Sequence, residues 1–122
     1  MLINLLPDFF AVLSSTDRVA AYQRYFEAHR RILEPYWQNY VVDPAGPHFG
    51  DVVRSTALAS RIDLREMLER TDVVALARAN EAQCATLLEQ DADVDVVLMV
   101  GVGAANAGEL VVDGRGIAFV CL

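Results

Sequence analysis

The stretch VDVVLMVGVGAANAGELVVDGRGIAFVCL, Val94 to Leu122, constrains the fold more than any other part of the chain. Upstream of it, apolar residues recur at every third or fourth position, the period of a helix face. Within it they recur at every second position, the period of a strand. Val94, Val96 and Leu98 alternate with Asp95, Val97 and Met99, so a strand over 94–100 starts half-exposed and becomes apolar on both sides. Such a strand belongs in the middle of a sheet or under cover on both faces. Residues 109–112 and 115–121 read as two more strands. Asp113-Gly114 between them is a two-residue hairpin signal, because a type I′ turn requires positive φ at both central positions. The run Ile117 to Leu122 has no polar residue and is expected inside the sheet.

Helices come first in the chain. Val19, Tyr22, Phe26, His29, Leu33 and Trp37 share one face of a helix over about 17–40, with Ser14, Ser15 and Thr16 as candidate N-caps. Pro35 is expected to end or kink that helix near Leu33 or Glu34. The sequence DPAGPHFG, Asp43 to Gly50, can only be a loop. Two further helices are expected over 51–69 and 72–89, the second capped by Thr71 with Asp72 at its positive end. Helices followed by three strands predict an α+β fold in one domain spanning 1–122.

The glycine stretch Gly101 to Gly108 follows a strand and invites a nucleotide-binding reading. The dinucleotide motif needs G-x-G-x-x-G opening a helix; here Asn106 stands at the third glycine position and a strand follows. A wide connection between strands is the simpler reading. Gly101, Gly103 and Asn106 stay candidate ligand or partner contacts, since a glycine-rich turn can turn backbone amides toward an anion. His48, in the Pro/Gly loop, is a fourth candidate. His29 has no second His, Cys or carboxylate at i+3 or i+4 and reads as a satisfied boundary histidine. Asp91, Asp93 and Asp95 would share one side of an extended segment, but Val96 and Val102 stand where a calcium loop needs Gly and Glu. They read as a charged start that protects an edge strand.

Composition removes whole classes of function. All ten Lys+Arg residues are Arg, which excludes Schiff-base lysines and the P-loop lysine. A formal net charge of −7 disfavours nucleic acid and anionic membranes as partners. Cys84 and Cys121 form neither a CxxC nor a metal-ligand spacing. No apolar run reaches the ~20 residues of a membrane span, and MLINLLPDFF lacks a basic n-region. The expectation is a soluble, cytoplasmic chain without a G-x-S-x-G elbow, an HExxH motif or any other catalytic set.

Val96 to Leu122 resembles the strand-rich stretch that leads into the metal-binding helix of bacterial predicted zinc-dependent proteases of the zincin type. There, an apolar strand, a glycine-containing turn and a hairpin ending in an apolar strand precede the HExxH helix. The helical AYQRYFEAHRRILEPYW is compatible with that arrangement. The resemblance implies that zinc ligands and the general-base glutamate would lie beyond Leu122. It carries no catalytic residue, metal ligand or cofactor onto this chain; zinc enters only with a further C-terminal region, and the chain is then a non-catalytic N-terminal portion or fragment. The alternative is a stand-alone small α+β module that binds a protein partner or a small ligand tolerant of an acidic surface, or forms a homodimer through an exposed sheet edge.

Overall fold

A computed structural model of the chain describes residues 2–57, 95–102 and 107–121, together with positions 66, 70–72, 74, 75, 78, 79 and 82. The elements run β1 (Leu2–Asn4), α1 (Leu6–Leu13), α2 (Arg18–Ala28), α3 (Arg30–Tyr40), α4 (Phe49–Val52), β2 (Asp95–Met99), β3 (Ala107–Val112) and β4 (Arg115–Cys121). A single π-helical turn, Val53–Ala57, continues α4. The architecture is α+β, and the described residues form a mixed four-stranded sheet in the order β1-β2-β4-β3.

β4 is central. Its partners are β2, parallel with Val97 opposite Phe119, and β3, antiparallel with Leu110 opposite Ile117. The expectation that the final apolar run lies inside the sheet therefore holds for Ile117 to Cys121, and Leu122 lies outside the described residues. β2 runs between β1 and β4, and Val97, Leu98 and Met99 are all buried, so both of its faces are covered. The Asp113-Gly114 turn has φ of 51° and 77°, the positive pair that the hairpin signal requires.

The strand absent from the sequence reading is β1. Three residues are too few to show a period, yet Leu2, Ile3 and Asn4 pair with Val96, Val97 and Leu98, and the Leu5 N–H donates to the Leu98 carbonyl at 2.9 Å. α1 follows at once. Asn4 Oδ1 accepts from the Leu6 N–H, and Pro7 occupies the first turn, where its missing N–H leaves no helical bond unmade.

The helix expected over 17–40 is two helices, broken at His29 and not at Pro35. Pro35 lies inside α3 because Leu33, Tyr36 and Trp37 around it are each fully buried, and that burial outweighs a missing helical bond. The cap of α2 is Asp17, whose Oδ1 accepts from the Ala20 N–H at 3.1 Å. Ser14 and Ser15, expected as caps, turn back instead, and their hydroxyls donate to the Phe10 and Ala11 carbonyls at the end of α1. Asp17→Ala is expected to lower stability by about 1 kcal/mol in a urea titration, with no change in the sheet's contribution to the far-UV spectrum.

Of the helix expected over 51–69, α4 and the π-helical turn account for residues up to Ala57, and the remainder lies outside the described residues apart from Glu66. Within the helix expected over 72–89, positions 74, 75, 78, 79 and 82 are helical. The cap there is Asp72, not Thr71: Asp72 Oδ1 accepts from the Ala75 N–H at 2.9 Å. Asp91 and Asp93 fall outside the described residues. Asp95, read as protecting an edge, opens central β2 instead, with Arg115 Nε 3.8 Å from its Oδ2.

An aromatic cluster joins the helices. Phe9, Tyr22, Tyr25, Trp37 and Phe49 pack ring to ring at centroid distances of 4.6–6.4 Å. Phe49 anchors the Pro/Gly loop in this cluster against Phe26 and Trp37. Trp37 Nε1 donates to the Tyr22 hydroxyl at 3.3 Å, whereas the Tyr25 hydroxyl has no hydrogen-bond partner among the described residues although the residue is buried. Burial raises the pKa of both phenols.

Candidate functional site: the outer edge of β3

The two-residue turn dictates how β3 presents its backbone. Val112 and Arg115 close the turn as a hydrogen-bonded pair, so Leu110 and Gly108 also bond to β4. The N–H and C=O groups of Val111, Glu109 and Ala107 therefore point away from the sheet. Among the described residues, β3 has no strand on its outer side. Val111 is 69% exposed, the one large apolar side chain so exposed among the described residues. The strand carries no Pro and one charged residue, the exposed Glu109.

α3 borders this edge. Tyr40 lies edge-on to Phe119 of β4 at 5.0 Å between centroids, and its hydroxyl donates to the Glu109 carbonyl at 2.9 Å. Gly108 makes this reach possible. A Cβ there would come within 2.8 Å of the Tyr40 hydroxyl and 2.9 Å of the Phe119 ring. At the turn, Arg31 Nε donates to Asp113 Oδ2 at 3.1 Å, joining the start of α3 to the hairpin. Arg30, Arg31, Glu34, Pro35 and Gln38 form one wall of a cavity of about 480 Å³ whose other wall is Val111, Val112 and Asp113.

Of the residues singled out in the sequence, Gly101 and His48 lie elsewhere. Gly101 is buried at the end of β2, where a Cβ would meet Cys121 Cβ at 2.8 Å and the Tyr36 hydroxyl at 3.3 Å, so its lack of a side chain serves close packing. The Tyr36 hydroxyl also accepts from the Val102 N–H at 3.1 Å. Burial pushes the Cys121 thiol pKa up, and the hydrogen bond with Tyr36 works against that rise. Gly103 and Asn106 lie outside the described residues. His48 is exposed at the start of α4, where its carbonyl accepts from the Val52 N–H. His29 Nε2 is 2.7 Å from Asp8 Oδ2, a partner on α1 that a search at i+3 and i+4 cannot reach. Among the described residues, no three His, Cys, Asp or Glu side chains gather as a metal site.

The Tyr40–Glu109 contact was not legible beforehand. Its one trace in the sequence is Gly108, expected just ahead of a strand over 109–112 and found inside β3, where a glycine signals a close approach without naming what approaches. No helix among the described residues is long and apolar enough to cross a membrane. Compared with protein-family models, curated proteins and solved structures, the chain matches none.

Proposed function

We propose that this chain is a non-catalytic interaction module that adds an extended segment of a protein partner to the outer edge of β3. The observation that carries the reading is the row of outward backbone groups beside the exposed Val111. Main-chain bonds supply affinity in strand addition, and flanking side chains supply selectivity. The net charge of −7 favours a partner segment carrying a basic residue near Glu109.

The test is a titration of the ¹⁵N-labelled chain with the peptide acetyl-Thr-Val-Thr-Ala-Thr-Arg-Thr-amide. Saturable shifts are expected at the Val111 and Glu109 amides. Val111→Pro should abolish them while leaving the melting temperature within about 3 °C, because that N–H makes no ladder bond. An unmoved edge at millimolar peptide defeats the reading; chain–chain association through the same amides would identify a second copy as the partner.

A second reading has its own support. β2, the connection through Gly101 and the β3–β4 hairpin reproduce the order of elements on which the zincin resemblance rests. We infer from it a scaffold role in a metallopeptidase-like protein, with the zinc motif in a further C-terminal region. Sequencing the gene past codon 122 decides this: an open frame encoding HExxH supports it, and a frame without that motif removes it.

A further inference from the structure

We propose that the Tyr40 hydroxyl sets the register of the strand that β3 accepts, by making the place opposite Glu109 one where the partner need not supply an N–H. This inference rests on the strand-addition reading.

In an antiparallel pair, residues facing each other across a narrow pair exchange two bonds, N–H to C=O in each direction. A partner strand on β3 faces such pairs at Val111 and Glu109. At Val111 both groups are unpaired among the described residues, so the opposing residue must give an N–H and a C=O. At Glu109 the carbonyl already accepts from Tyr40 at 2.9 Å. A partner residue without an N–H leaves the Val111 carbonyl orphaned but leaves the Glu109 carbonyl satisfied. An orphaned acceptor is the costly outcome, and a bond absent where its acceptor is already paired costs little.

The partner chemistry follows. Proline is the residue without an N–H, and it is compatible with edge strands. The segment that fits runs antiparallel to β3, with an apolar residue opposite Val111 and proline permitted two positions later, opposite Glu109. A basic residue fits two positions beyond that, because side chains at this spacing share a face and the diagonal neighbour there is Glu109. The pattern is apolar-x-Pro-x-Arg. Tyr40 is a positioning residue here, since it touches the partner only through the Glu109 carbonyl. Gly108 is what admits it.

Three peptides test this by isothermal titration and amide shifts: acetyl-Thr-Val-Thr-Ala-Thr-Arg-Thr-amide, the same with Pro for Ala, and the first with Pro for Val. On the unaltered chain, proline opposite Glu109 is expected to change Kd less than about threefold, and proline opposite Val111 to raise it about tenfold. On Tyr40→Phe, which keeps the ring on Phe119, proline opposite Glu109 should now cost about as much as at Val111. Equal penalties at both positions on the unaltered chain overturn the register proposal while leaving strand addition intact. Failure of every peptide to shift β3 amides removes both. The comparison on the unaltered chain stands even if Tyr40→Phe folds poorly.

Discussion

Phe119→Ala is expected to cost about 3–5 kcal/mol and to leave this chain close to its unfolding threshold. Phe119 is 1% exposed in the middle of the central strand. Tyr36 and Tyr40 each meet its ring edge-on, at 5.3 and 5.0 Å. Removing the ring opens a cavity between α3 and the sheet that backbone elements on both sides hold open. Chemical denaturation measures the loss directly. Phe119→Leu, which refills most of the space, should recover more than half of it. A loss below 1 kcal/mol for the alanine variant would show that α3 does not rest on β4.

The second large effect is alkaline. Burial raises the pKa of both Tyr22 and Tyr25, and for Tyr25 the neighbouring Tyr22 and Asp8 add to it. The unfolded chain then releases these phenolic protons first, near pH 10. Above that pH the unfolded state binds fewer protons than the folded one, so stability falls as pH rises. Each tyrosine contributes about 1.4 kcal/mol per pH unit, giving nearly 3 kcal/mol per unit while both stay protonated in the fold. Urea midpoints between pH 9 and 11.5 read this slope. Tyr25→Phe should lower it by about 1.4 kcal/mol per unit and also raise stability at pH 7, because it removes a buried hydroxyl without a partner among the described residues. A flat profile above pH 10 would mean that both hydroxyls reach water.

Where the sequence carried a strong local signal, the fold followed it. The Asp113-Gly114 turn, the strand Arg115–Cys121 and the two-sided burial of β2 depend on patterns a few residues long. The errors have physical causes. His29 interrupts a helical period that runs on through it, so the break is invisible to periodicity. Pro35 is carried by three fully buried neighbours, a tertiary term that local rules omit. β1 is specified by a partner more than ninety residues away. The β3 edge was foreseen only as a kind of surface. Which strand it would be, and that Tyr40 would reach it over Gly108, depends on how α3 lies across β4, and no motif encodes that.

The place of β4 between β2 and β3 has a consequence for biosynthesis. The parallel partnership of β2 and the antiparallel one of β3 both wait for residues 115–121. At translation rates of about 5–20 residues per second, the N-terminal helices emerge on the order of ten seconds before that strand. For most of that interval Leu2–Asn4 have no strand to join, and the apolar Val97–Met99 then wait for β4 for its last few seconds. The order of synthesis thus leaves the earliest strand unpaired for longest, and the sheet closes only with its last-made member.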